Sequence, residues 1–411
     1  MKSDTAAAFS LLSARAVRER AHRMLAIGLE DKLPHFRIDL RRLDGAVDLV
    51  VDTTRQNYPS LVVPFHSRWR HFVFDGEDRW AAIDKNANWR DRAAQARAAF
   101  DLAIVSVLLD AGAGPQWLYC DAATGRSVGR SEGLALASID MFSRGIFSSE
   151  PDDLLRADAE RLMRLSDQAV GDGLQVSGSN QIIGLSSRAD LLRHLGALVA
   201  AKPDIFGRED KPRPGGLFDH LAALTDKNEI AAATILSELL HHFGPIWPSR
   251  LTLGGLPLGD CWRHPSLRTA DATSELVPLH KLSQWLAYSL IEPLQWAGIS
   301  VSEIDGLTGL AEYRNGGLFI DTGVLTFRDP ADAARDHDVA ATLIVEWRAL
   351  TVALLDRLAE AMRHRLKMDE RSLPLAKVLE GGTWSAGRVI ARKLRSDGSP
   401  PVKIASDGTV F

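Results

Sequence analysis

Apolar positions recur at helical spacing along most of this chain. Residues 6–29 carry Leu11, Leu12, Val17, Met24 and Leu25 on one side, which predicts a first helix. Residues 90–111 predict another, ended by the stop Gly112-Ala-Gly114-Pro115. Residues 131–144 read as a helix with Ser131 as its N-cap. Pro151 suits a first helical turn, so a further helix is expected over 152–170. Helices are also expected over 187–201, 228–243, 339–366 and 384–394, with a loop over 203–219. The longest clear helical pattern covers 274–297, where Ser274 would cap and Leu279, Leu282, Leu286, Leu290 and Leu294 repeat.

Two stretches break this style. Pro59 and Pro64 predict extended or loop structure over 58–75, with a small sheet or hairpin near 36–80. The tail 400–411 holds a Ser406-Asp407-Gly408 turn between two β-prone pieces. No internal repeat, low-complexity linker or shift in composition divides the chain. The expectation is one domain over residues 1–411, mainly α, with a few short strands.

Composition narrows the function. Hydrophobic content of 45% and charged content of 25% fit a soluble globular protein. A net charge of −4 lacks the basic excess of a nucleic-acid binder, but leaves room for one local phosphate pocket. Cys120 and Cys261 form no CxxC and suit a reducing compartment, so a cytoplasmic location is expected. No apolar run approaches the roughly 18 residues that span a bilayer. Residues 5–26 are Arg-rich and amphipathic, and Glu19 favours an ordinary helix over a targeting segment. A small-molecule ligand is therefore the expected partner, not nucleic acid or membrane.

The densest chemistry lies at 307–323, where Glu312, Tyr313, Arg314 and Asn315 are consecutive, Gly316-Gly317 follow, and Asp321 closes an apolar run. Such a cluster reads as an active site, or as a structural Glu–Arg pair closing a turn before a helix. On the 274–297 pattern, Lys281, Gln284, Trp285, Tyr288 and Glu292 share a face, and Lys281 is a candidate base or charge anchor. A Lys snorkelling from an exposed face is the structural alternative. His66, Arg68, Arg70 and His71 alternate with aromatic residues. In an extended segment His66, Arg68 and Arg70 would share one side and hold a phosphate, unless they form a basic sheet edge. Asp140 reads as core-facing, serving a site or capping a neighbouring helix, and Asp219 reads as a helix cap. Metal sites look poor: His241 and His242 are adjacent and cannot both face one ion, and Cys261 with His264 lacks partners. No metal, redox or nucleotide cofactor is expected, because phosphate-binding loops, dinucleotide fingerprints and zinc-protease motifs are absent from the sequence.

These residues carry a resemblance. The stretches VPFHSRWRHF (63–72), GAGPQWLY (112–119), RSEGLALASIDMFSRGIFS (130–148), RPGGLFDHL (213–221), LHKLSQWLAYSLIEPL (279–294), LTGLAEYRNGGLFIDTGVL (307–325) and PPVKIASDGTVF (400–411) resemble the uracil catabolism protein 4 family. That family is associated with a pyrimidine-degrading route through a ribosylated, ring-opened uracil derivative. More distantly, Leu279-His280-Lys281-Leu282-Ser283-Gln284 and Glu312-Tyr313-Arg314-Asn315 are similar to two motifs of the queuosine salvage glycosidases. This second resemblance implies a helical fold related to DNA glycosylases and hydrolysis of an N-glycosidic bond. Glu312 stands where that family has Asp, and Gly316-Gly317 where it has Pro-Gln, so the contacts to the base should differ. The implied reaction is cleavage of a ribosyl-urea-type nucleoside or its 5′-phosphate. Glu312 and Lys281 would be catalytic, and His66, Arg68, Arg70, Asp140, Gln284, Tyr313, Arg314 and Asp321 would bind substrate. The alternatives are an amidohydrolase or ring-opening enzyme of the same route, and a non-catalytic ligand-binding protein.

Overall fold

The computed structural model describes residues 2–114, 116–208, 211–247 and 251–405. It is mainly α-helical, and its strands are short and join only in pairs. The tail turn at 406–408 and Pro115 of the expected stop lie outside the described residues. No described helix is long and apolar enough to cross a membrane. The described chain falls into two compact units, residues 2–66, 251–284 and 303–405, and residues 67–247 and 285–302.

The first unit is built around the helix Thr342–Leu366, whose apolar residues from Leu343 to Met362 are buried. Helices Ala14–Leu29, Leu43–Asn57 and Tyr313–Asp321 pack on it, and Trp384–Leu394 packs on Tyr313–Asp321. Strands Phe36–Ile38 and Leu325–Phe327 pair antiparallel beside them. Two close approaches shape this packing. A Cβ on Gly316 would stand 2.6 Å from the Trp347 ring, and one on Gly387 would stand 2.4 Å from the Arg314 carbonyl oxygen. Both positions need glycine, because side-chain volume there would push helices apart.

The second unit centres on Arg92–Leu108, buried continuously from Ala96 onward. Helices Arg130–Ser143, Leu185–Ala200 and Leu217–Ala223 surround it. Strand Glu229–Ala231 pairs in parallel with Ser300–Ser302 before helix Ala232–Phe243 begins.

Several elements differ from the sequence reading. The first helical pattern is two helices, Lys2–Leu11 and Ala14–Leu29, because the Ser13 hydroxyl caps the second by accepting the Ala16 amide. The pattern over 152–170 is likewise cut into Ala159–Met163 and Asp167–Gly173, each with its own cap, Asp158 and Ser166. The helix expected from residue 274 begins at Lys281. Residues Leu276–Pro278 are instead a strand on Cys261–Arg263, and His280 takes a left-handed backbone (φ 47°) that turns the chain into the helix. The loop over 203–219 contains helix Pro203–Phe206 and the start of Leu217–Ala223. Arg68–Phe72 forms a 3₁₀ turn, so two-residue alternation does not apply to Arg68 and Arg70.

Candidate functional site

Glu312 opens the helix Tyr313–Asp321. Its backbone is extended (φ −118°, ψ 166°), and its carboxylate caps the helix: one oxygen accepts the Arg314 amide and the other the Asn315 amide, both at 2.7 Å. A carboxylate is favourably placed at the positive end of a helix dipole. Both oxygens are therefore held in one orientation, and each keeps a lone pair for a further partner. The Asn315 side-chain amide donates to the Leu310 carbonyl (3.2 Å), which fixes the approach to the cap. Glu312 is 9% exposed.

Arg314 is 7% exposed. Its guanidinium lies 4.6 Å from the centre of the Trp384 ring and 5.2 Å from that of Tyr313. Among the described residues no carboxylate pairs with it, and the two rings stand where a largely buried residue's charge normally meets an ionic partner. Trp384 also receives the Arg388 guanidinium at 4.7 Å and the His66 ring at 6.1 Å. His66 Nδ1 lies 2.7 Å from Glu380, which also accepts the Tyr58 hydroxyl at 3.2 Å. Glu380 sits in a π-helical turn, Leu379–Thr383, that leads into the Trp384 helix. Such wide turns recur at functional sites.

Lys281 and Glu312 are far apart in sequence, but one ion pair holds the backbone at both. Arg348, 1% exposed, donates to both Asp260 carboxylate oxygens at 2.8 Å. Asp260 in turn accepts the Lys281 amide (2.9 Å) and the Trp262 indole N–H (2.6 Å). Arg348 Nε donates to the Ala311 carbonyl at 3.2 Å, one residue before Glu312. Burial pushes the Asp260 carboxyl up. The Arg348 charge and the hydrogen bonds from Arg348, Trp262 and Lys281 pull it further down, well below the usual carboxylate range. A second tie lies beside the first. Buried Gln284 accepts the Thr308 amide at 3.0 Å and donates to the Thr308 hydroxyl. His280, fully buried, contacts the Leu11 carbonyl (2.9 Å), and burial lowers its pKa.

The structure thus brings Arg314 and His66 to Trp384, sets Tyr313 on the Arg314 guanidinium, and anchors Lys281 and Gln284 to the segment that leads into Glu312. Asp321 has only 4% of its side chain exposed and is held by both Arg395 nitrogens at 2.8 and 2.6 Å. Gly316 faces Trp347 and Thr351, and Gly317 faces Pro401, so these side chains occupy the space the glycine pair leaves.

Arg68, Arg70 and Asp140 belong to the second unit. Arg68 is fully buried; it donates to Asp110 (2.8 Å) and Ser106 (2.6 Å) and stacks on Trp285 at 5.4 Å. Arg70 pairs with Glu292 at 2.7 Å, as does the Ser67 hydroxyl. The Ser131 hydroxyl donates to Asp110 instead of capping its helix. Asp140 is not core-facing: its side chain is 44% exposed, and it meets Arg144 (3.0 Å) and the Tyr119 hydroxyl (3.1 Å). Asp219 does not cap its helix but takes both Arg97 nitrogens at 2.7 Å. A cavity of about 390 Å³ in this unit is lined by Trp89, Arg90, Arg97, Asp153 and Arg213, and includes none of the expected site residues. Arg97 and Arg213 are committed to Asp219 and Asp101.

Sequence reading missed Asp260, Arg348, Thr308, Glu380 and Trp384. Arg348 offered a signal, as a lone cation inside an apolar helical run. Asp260 and Glu380 sit in glycine-containing segments whose partners are distant in sequence, and no local spacing marks them.

Comparison with known proteins adds the family. A profile described as "Protein of unknown function (DUF1688)" matches residues 10–411. The chain is 37% identical over 421 aligned positions to protein urg3 of Schizosaccharomyces pombe, covering 100% of both chains. It is 35% identical to uracil catabolism protein 4 of Lachancea kluyveri, covering 92% of each. The chain belongs to this DUF1688 family.

Proposed function

We propose that this family member acts in uracil degradation as an N-glycoside hydrolase, cleaving a ribosyl-urea-type nucleoside as its 5′-phosphate. The pathway part of this reading is supported by the name of the Lachancea kluyveri relative. The reaction part rests above all on Arg314: the guanidinium of a residue only 7% exposed, lying over Tyr313 and Trp384 and lacking a carboxylate partner among the described residues, two positions after an oriented carboxylate. A phosphate ester supplies the missing anion through charge-assisted hydrogen bonds. Arg68 and Arg70, by contrast, already have Asp110 and Glu292.

In the proposed reaction the bond from the anomeric carbon to the urea nitrogen breaks. Positive charge builds on that carbon, and Glu312 stabilises it and orients water for attack. The water oxygen bonds to the anomeric carbon, one of its protons leaves through Glu312, and the urea nitrogen gains a proton. The products are urea and ribose 5-phosphate. Lys281 sets the electrostatics of the carboxylate or assists protonation of the leaving nitrogen, from a position that Asp260 holds at the backbone. Tyr313 and Gln284 position the segment around Glu312.

A second reading keeps the ligand and drops the chemistry. It is favoured by the capping bonds of Glu312, which give this carboxylate a structural role whatever else it does. The two separate on incubation of purified protein with ribosylurea 5′-phosphate, unphosphorylated ribosylurea and uridine monophosphate. Free ribose 5-phosphate and urea from the first compound support hydrolysis. Ammonia or a new carboxylate indicates an amidohydrolase, and binding without products indicates a ligand-binding protein.

A further inference from the structure

The second unit holds a group of side chains that the proposed hydrolysis does not use. Glu238 and His242 lie one turn apart on helix Ala232–Phe243 and share a face. His220 reaches them from helix Leu217–Ala223. Nε2 of His220 lies 2.6 Å from Glu238 Oε2, and Nε2 of His242 lies 3.2 Å from the same oxygen. One ligand atom from each residue fits within 4.8 Å of the others. The two imidazole rings stand edge to face, with centres 5.0 Å apart. Their side chains are 11% and 19% exposed, and that of Glu238 is 19% exposed.

We infer that His220, Glu238 and His242 form a binding site for a divalent transition-metal ion of the zinc class. Ligand bonds of about 2.0–2.2 Å in a tetrahedral site place donor atoms roughly 3.3–3.5 Å apart. The His242–Glu238 separation already matches, and His220 has to withdraw by less than about 1 Å, within the reach of side-chain rotation. Two imidazoles with one carboxylate form a donor set suited to zinc, iron, cobalt or nickel, whereas calcium and magnesium favour oxygen-rich cages. Three protein ligands leave a fourth position for water or another ligand.

Among the described residues the His220 ring meets Glu238 through Nε2, the nitrogen an ion would take, while its buried Nδ1 has no hydrogen-bond partner there. His241, next to His242, is not one of the three. The sequence argument that adjacent histidines cannot share one ion still holds. The partners come from 4 and 22 positions before His242, and only the fold brings the farther one in.

The test is metal stoichiometry on the full-length protein. Stripped with chelator and dialysed against zinc, the wild type should retain one ion per chain, measured by elemental analysis. Zinc titration followed by calorimetry should place the affinity in the submicromolar range. H220A, H242A and the near-isosteric E238Q should each weaken binding at least tenfold, as loss of one of three ligands does. H194A, on an exposed histidine elsewhere in the unit, should bind like the wild type. Cobalt substitution should give the absorption of a four- or five-coordinate site in the wild type and lose it in E238Q. A folded wild type that retains no stoichiometric zinc overturns the site. So does zinc affinity unchanged in E238Q and in whichever histidine variants keep the native circular dichroism spectrum. These readouts do not depend on glycoside hydrolysis.

Discussion

Replacing Asp260 by Asn tests the tie between Lys281 and Glu312. In the wild type the Asp260 carboxylate meets both Arg348 nitrogens at 2.8 Å, and only 1% of the Arg348 side chain is exposed. D260N removes the negative charge and leaves that guanidinium buried against a neutral amide. Breaking one side of a buried pair costs about 3–5 kcal/mol. For a cooperative unit of roughly 200 residues, that lowers Tm by roughly 6–20 °C, at about 2–4 °C per kcal/mol. The pH dependence has a definite sign. The folded state lowers the Asp260 pKa, so the stabilisation is present above the unfolded value of 3.8 and is lost as pH falls through the folded value. His280 adds a separate acid loss: its folded pKa lies below 6.5, so its contribution fades as pH drops under 6.5 in both proteins. Calorimetric melts at neutral and acid pH should therefore show a gap between wild type and D260N that narrows toward strong acid. R348M and the double variant complete the cycle, and the double variant should fall short of the sum of the singles. Melts of D260N within about 1–2 °C of wild type at neutral pH would refute the reasoning, because they would mean a tie worth less than about 1 kcal/mol.

Other variants separate the binding groups. R314M should raise KM for ribosylurea 5′-phosphate by roughly 10–100-fold and leave the unphosphorylated compound much less affected, as expected for losing a charged hydrogen bond of about 1.5–3 kcal/mol. R70M should leave that KM within about twofold while removing the Glu292 contact, a pair whose side chains are only 26% and 16% exposed. D321N should lower Tm by removing the bidentate Arg395 contact but leave KM unchanged, as steady-state kinetics on the folded variant will show.

The helical class was legible because long apolar stripes at helical spacing admit few other structures. Boundaries were less legible. Ser13, Asp158 and Ser166 each restart a helix inside a pattern that looks continuous, since a cap changes hydrogen bonding without changing apolar spacing. The 274–297 pattern misled because Leu276–Pro278 has apolar residues that serve a strand as well as a helix. At the site, Glu312 and Arg314 stood out by density of function. Asp260 and Arg348 did not, because what makes them matter is a distance of 2.8 Å across 88 positions of chain. The anion site expected at Arg68 and Arg70 assumed alternation in a segment that instead forms a 3₁₀ turn and spends both arginines on carboxylates.

The most direct measurement compares E312Q with wild type for release of ribose 5-phosphate from ribosylurea 5′-phosphate, with melts confirming that both are folded. Glutamine keeps the size of the side chain and one capping oxygen but cannot stabilise positive charge at the anomeric carbon or take a proton from water. The account predicts a fall in kcat of about 10²–10⁴-fold. A folded E312Q protein that hydrolyses the substrate at the wild-type rate would contradict it.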